Sequence, residues 1–287
     1  MQDKYFFFGF GQVAKYFLDN LIKKKKNFTF NITKTAKSFK KSFKGKKYSS
    51  FHFDGKKFDK KMIKFLKLSN YIIISIPPRK GDPVIKHFKN HLNSTNLKKI
   101  IYLSATSVYG DHDGKWVNEK SKLKPTSKFG KRRLKAEQEW QKLFKNDKKK
   151  LYILRLSGIY SKETNPIKRL KAGPKIYINK KNHFFSRIRV EDIARVILKI
   201  LKKKNLDGGV FNVSDDLPAS SETVTKYAAK LIKISSLKSV SYKNLKGEMI
   251  KNFYKDSKKV RNSKIKKVLK INLKYPSYKK GLRDFIY

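Results

Sequence analysis

The 287-residue chain contains no cysteine, which excludes disulfides, thiolate zinc sites and cysteine nucleophiles together. No apolar run approaches the ~20 residues of a membrane span. The hydrophobic stretch near the start is broken by residues 9–14 and Asp19, and no cleavage site follows it, so a cytoplasmic protein is expected. Internal repeats are missing, and so is a second cluster of ligating side chains, so no metal is expected. Acidic residues are scarce, 21 against 73 basic ones, for a formal charge of +52. That imbalance raises a polyanion-binding reading. The distribution argues against it: only ten basic residues are Arg, and the 63 Lys cover nearly the whole chain yet vanish from residues 101–110, 151–160 and 210–221. Such lysine decorates solvent faces, and AT-rich codons produce the same richness in Lys, Asn, Ile, Phe and Tyr. Neither a specific nucleic acid nor a membrane is expected as a partner, and the field favours small anionic ligands.

Among what is present, Phe6-Phe7-Phe8-Gly9-Phe10-Gly11-Gln12-Val13-Ala14 is the most informative stretch. An apolar strand breaks into Gly-x-Gly-x-x-Ala and then into residues at helical spacing, Val13, Tyr16, Phe17 and Ile22. In a dinucleotide-binding turn the first Gly permits the bend, the second lets backbone approach a pyrophosphate, and the small third residue lets helix pack on strand. The phosphates then meet the amide end of the helix. Strands are expected at 4–8, 27–33, 48–53, 70–76, 99–104, 151–156 and 209–213. Helices are expected near 11–24, 57–67, 82–94, 127–146, 191–204 and 219–234. The alternation indicates an α/β fold, a Rossmann-type doubly wound parallel sheet with a smaller C-terminal substrate lobe. Residues 1–162 would form the Rossmann domain and 163–287 the lobe, with 191–214 returning to the sheet.

Ligands in such folds meet the carboxyl ends of the strands, which brings Ser75, Pro77 and Ser104 into the expected cofactor set with Gly9, Gly11, Gln12 and Ala14. Recognition of a ribose 2′-hydroxyl wants an acid after the second strand. Thr33 and Lys34 stand there instead, with Lys37 nearby, which favours NADP(H) and leaves NAD(H) as the alternative.

The stretch Tyr102-Leu-Ser-Ala-Thr-Ser-Val-Tyr-Gly110, followed by Pro125 and Phe129-Gly130 ahead of Ala136-Glu137, resembles the extended short-chain dehydrogenase/reductases, the nucleotide-sugar epimerase and dehydratase group. Arg155-Leu-Ser-Gly-Ile-Tyr160, Arg187-Ile-Arg-Val-Glu-Asp-Ile-Ala194 and Phe211-Asn-Val-Ser-Asp215 are similar to its later landmarks, in order. An atypical subgroup looks closest, through Trp116-Val-Asn-Glu119 and Tyr275-Pro-Ser-Tyr278. The resemblance implies a Ser, Tyr and Lys set, with Tyr as the acid/base, and a homodimer through the helix beginning near Ser127. Here Ala105, Phe129 and Arg133 occupy those three positions. Phenylalanine has no proton to exchange and arginine does not titrate usefully, so the usual chemistry cannot run.

Replacement candidates are Tyr109, a proton donor or a packed aromatic; His112 between two Asp, a general acid/base or a turn; and Thr106, with Ser107, as a hydroxyl at a strand end or a turn former. Trp116, Glu119 and Arg187 could line a substrate pocket, and Arg132 and Arg133 could bind phosphate or serve as surface charges. The expected function is NAD(P)-dependent oxidoreductase or epimerase/dehydratase chemistry on a phosphorylated or nucleotide-linked substrate. The alternative is a catalytically inactive NADP(H)-sensing regulator or scaffold.

Overall fold

Four consecutive aromatic residues, Tyr5-Phe6-Phe7-Phe8, are all buried, because a parallel strand covered on both faces needs apolar side chains on both. The computed structural model describes residues 2–36, 40–92, 95–247 and 253–286, and Lys37 lies outside them. In chain order the first elements are β1 (Asp3–Phe8), α1 (Gln12–Lys23), β2 (Phe28–Lys34), β3 (Lys40–Phe43), β4 (Lys46–His52), α2 (Met62–Lys67), β5 (Tyr71–Ile74), α3 (Pro83–Phe88), β6 (Lys99–Ala105) and β7 (Trp116–Val117). There follow α4 (Lys128–Leu143), β8 (Leu151–Leu156), β9 (Gly158–Tyr160), α5 (Pro166–Ala172), β10 (Ile176–Asn179), β11 (Arg187–Arg189), α6 (Val190–Lys202), β12 (Gly209–Val213), α7 (Ser221–Leu231), β13 (Lys238–Ser241) and β14 (Lys259–Val260).

Two units each draw on three separate stretches of chain. The first takes residues 1–104, 132–154 and 193–211, and the second takes 105–131, 155–192 and 212–287.

An eight-stranded sheet runs β12-β8-β6-β5-β1-β2-β4-β3. Parallel pairing joins β1 to β2 and β5, β2 to β4, and β5 to β6. The chain winds from β1 toward β4 on one side and resumes at β5 on the other, so the direction reverses at β1. This is the doubly wound Rossmann arrangement, and its reversal point lies beside the turn that begins at Gly9. Helix α1 buries Val13, Ala14, Phe17, Leu18 and Leu21, so Tyr16 and Ile22 fall on its flanks rather than its inner face.

Two local departures from expectation have physical causes. The second helix begins only at Met62, because the Asp54 carboxylate holds the Lys56 and Lys57 amides at 2.7 Å in a turn and Phe53 pairs with Phe58. Strand β3, unforeseen, pairs antiparallel with β4 across the two-residue turn Lys44-Gly45. Its Lys-Lys-Ser-Phe sequence shows no apolar alternation, and lysines on an edge strand discourage pairing with another chain. Helix α3 begins where expected, with Asp82 accepting from the Val84 and Ile85 amides at 2.9 and 3.2 Å ahead of Pro83.

The second unit contains three short parallel pairs, β9 with β11, β10 with β13, and β7 with β14. Its core gathers Tyr160, Leu170, Ala228, Tyr278 and Leu282. Among the described residues no helix is long and apolar enough to cross a membrane, and no group of three or more His, Asp or Glu could hold a metal ion.

Candidate functional site

In the first unit the two glycines of the turn differ in what constrains them. Gly9 has φ +91°, and a Cβ there would lie 2.6 Å from Ser75 Oγ, so the fold itself requires glycine. Its amide donates to Thr33 Oγ1 at 2.9 Å, which fixes the turn to the end of β2. Gly11 has an ordinary φ of −82°, and nothing lies within 4 Å of where its Cβ would be. The protein alone therefore does not explain glycine at 11. Gly11 is also the N-cap of α1, with no side chain capping it and no acid in the first turn. The end is left open to an anion, and Gln12 is exposed beside it while Ala14 packs inward.

The remaining cofactor candidates are also in this unit. Ser75 Oγ donates to the Phe8 carbonyl at 3.0 Å, bracing β1, while Pro77 is exposed just beyond β5. Ser104 is buried, and its hydroxyl donates to Glu137 Oε1 at 2.5 Å, so it is spent inside the protein. Lys34 places its ammonium 5.5 Å over the Phe10 ring, and Lys15 lies 5.8 Å over the same ring. Partial burial and repulsion from Lys41 and Lys15 lower the Lys34 pKa. Three cations, Lys34, Lys15 and Lys41, thus interact at the end of β2. Arg133 donates to the Leu103 carbonyl at 2.8 Å.

In the second unit Ala105 and Phe129 line one cavity of about 270 Å³, together with Thr106 and Ser107. The positions that carry hydroxyls in the family the chain resembles are here a methyl group and a half-exposed phenyl ring. Tyr109 does not join them. Its ring is fully buried, and its hydroxyl donates to Asn212 Oδ1 at 2.7 Å while accepting from Arg155 at 3.0 Å. Burial raises its pKa, with Arg155 opposing. The expectation of Tyr109 as replacement acid is therefore revised to a packed structural aromatic. Tyr109→Phe is expected to cost about 1–3 kcal/mol of stability, because buried partners lose a hydrogen bond. A melting temperature equal to that of wild type would contradict this.

His112 is revised in the same way. Its Nε2 lies 3.2 Å from the carbonyls of both Tyr109 and Lys122, as an Nε2–H donor would. Its amide and that of Gly114 both donate to the Ser257 carbonyl at 3.0 Å, and Asp111 accepts from the Ser257 amide at 2.7 Å. The 111–114 loop is a strap around residues 256–258. Glu119 is spent on the Asn212 amide at 2.8 Å, and Trp116 is exposed with Arg261 stacked over it. Arg187 donates to the Phe185 and Ala219 carbonyls, both at 2.9 Å. Burial pulls its pKa down to about 10, with Asp215 opposing. None of these three lines the cavity.

What the strap holds was not foreseen. Asp256 and Lys258 both line the cavity and, among the described residues, are the only titratable groups on its wall. Lys258 is one lysine among 63, so only the fold distinguishes it.

The NAD dependent epimerase/dehydratase family profile matches residues 88–214. A conserved protein of unknown function from Silicibacter pomeroyi is 31% identical, with 99% of this chain and 98% of that one covered and a TM-score of 0.85. UDP-glucuronic acid 4-epimerase from Bacillus cereus, solved with NAD, shares 19% identity over 99% of this chain and 96% of its own, with a TM-score of 0.77. dTDP-glucose 4,6-dehydratase from Bacillus anthracis, also with NAD, shares 14% identity over 100% and 96%, again with a TM-score of 0.77. No curated protein matches. With its doubly wound sheet, its Gly-x-Gly-x-x-Ala turn and these matches, the chain belongs to the NAD-dependent epimerase/dehydratase family, as an atypical short-chain dehydrogenase/reductase.

Proposed function

We propose that the protein is a cytoplasmic NAD(P)-dependent oxidoreductase or epimerase/dehydratase that holds the dinucleotide on its first unit and a phosphorylated or nucleotide-linked substrate in its second. The observation that carries the reading is Gly11, a glycine with open space in front of it at an uncapped helix start. Gly9, Gly11 and Gln12 would hold the pyrophosphate and Lys34 the ribose end of the cofactor, which supplies hydride chemistry when bound. The neighbours named as a UDP-glucuronic acid 4-epimerase and a dTDP-glucose 4,6-dehydratase support the substrate class by analogy of fold alone.

NADP(H) is preferred, because Lys34 stands at the end of β2 where a ribose 2′-hydroxyl would want an acid, with Lys15 over the same Phe10 ring. A charge-assisted contact is worth about 1.5–3 kcal/mol, so roughly tenfold tighter binding of NADPH than NADH is expected at physiological salt. Lys34→Ala should erase that difference in calorimetry. Equal affinities in the wild type would return Lys34 to the lysine background.

The second reading, an NADP(H) sensor without catalysis, is favoured by the cavity itself, since Ala105 and Phe129 bring it no proton and Tyr109 and His112 are bonded elsewhere. Tight dinucleotide binding with no turnover over a broad panel of carbonyl compounds and nucleotide sugars would decide for it. Charge opposes the homodimerisation through α4 that the resemblance implies. The exposed face of that helix carries Lys128, Lys131, Lys135 and Lys142, and a twofold pairing would set like charges together.

A further inference from the structure

The cavity of the second unit has a polar pole and apolar walls. At about 270 Å³ it is smaller than the roughly 300–1,000 Å³ of drug-sized ligand pockets, so it suits one small molecule or one group of a larger one. Phe129, Phe184, Phe185 and Phe253 line it, and Phe129 and Phe253 are 49% and 40% exposed, an unusual state for rings with no water-facing role. Asp256 and Lys258 stand on the same wall with Asp256 Oδ2 3.4 Å from Lys258 Nζ, so the wall carries no net charge. Thr126 Oγ1 holds the other Asp256 oxygen at 2.6 Å.

Two donors remain. An ammonium has three N–H groups; Lys258 gives one to the Gly110 carbonyl at 2.8 Å and a weaker one to Asp256, which leaves a third. Ser157 also lines the cavity, and its buried hydroxyl has no partner among the described residues.

The geometry points to a binding site for a small, mostly apolar carbonyl compound, its oxygen held by the Lys258 ammonium and the Ser157 hydroxyl and its body clasped by the phenylalanines. Burial lowers the Lys258 pKa, with Asp256 opposing. The inference rests on reading the second unit as the substrate-holding one, and it narrows the chemistry of the group that enters.

The test uses the full chain with acetophenone as probe, ethylbenzene as its oxygen-free analogue and benzoate as a charged one, read by saturation-transfer NMR and calorimetry. Acetophenone is expected to bind about tenfold more tightly than either. Ser157→Ala and Lys258→Met should each remove most of that preference. If Lys258→Met does not fold, Ser157→Ala still decides, because its hydroxyl bonds nothing among the described residues. Competition by UDP-glucose would show that the group arrives nucleotide-linked, and no competition that it arrives free. Absent acetophenone binding, equal binding of ethylbenzene, preference for benzoate, or a preference that survives Ser157→Ala overturns the inference. NADPH affinity is measured separately; its failure alongside an intact acetophenone preference counts against the dinucleotide reading and not against this one.

Discussion

A Gly11→Asp protein is expected to melt with the wild type and to lose dinucleotide binding by at least about 100-fold, since a like charge set against a ligand costs several kcal/mol. The two halves of that expectation come from one observation. At φ −82° with nothing within 4 Å, a side chain at 11 meets no protein atom and strains no backbone. It enters the space from which the α1 amides face an incoming anion. Gly9→Ala is the counterpart, with φ +91° and Ser75 Oγ 2.6 Å from the added carbon. It should lower the melting temperature first and affinity only as a consequence. Calorimetry with NADPH, paired with thermal unfolding of both variants, separates them. A folded Gly11→Asp protein of unchanged affinity would remove the turn from the cofactor site.

Acidification should destabilise the second unit through a single histidine. His183 is buried, donates from Nε2 to the Asp256 carbonyl at 3.0 Å, and has Nδ1 without a partner among the described residues. Burial first, and then the nearby cations Lys180, Lys258 and Arg187, bring its pKa down from 6.5 to about 4. The folded unit keeps it neutral through that interval while the unfolded chain takes up a proton. The unfolded state thus binds more protons, and stability falls as pH drops from about 6.5 to about 4, levelling below. The full shift corresponds to on the order of 3 kcal/mol. His183→Gln should cost stability at pH 7, and the gap should close by most of that amount at pH 4.5. Parallel stability curves for the two proteins would show that other groups govern the acid limb.

The sheet was legible in the sequence because its central strands are buried on both faces, which leaves continuous apolar runs at Tyr5–Phe8 and Tyr71–Ile74 that no helix period explains. The turn at Gly9 was legible because it interrupts such a run. Strand β3 was hidden, since an edge strand reading Lys-Lys-Ser-Phe carries no alternation. The side chains of Tyr109 and His112 were visible, but their partners were not: Asn212 lies 103 positions from Tyr109, and the Ser257 that Asp111 holds lies 146 positions away. Sequence offers the chemical type of a side chain, whereas its availability depends on distant neighbours. Lys258 illustrates the reverse, a residue of the commonest type made distinctive only by a strap formed far upstream.

The interleaving of the first unit has a consequence for the nascent chain. Strand β6 lies between β5 and β8 in the sheet, so one of its edges waits for Leu151–Leu156 to be synthesised. At about 5–20 residues per second, that edge stays open on the ribosome for roughly 3–10 s after Ala105 has been added. Residues 101–110 carry no lysine, so the charge that guards the rest of this surface is missing where the unfinished edge is most exposed. The protein's dependence on chaperones during synthesis should therefore concentrate in the interval between the sixth strand and the eighth.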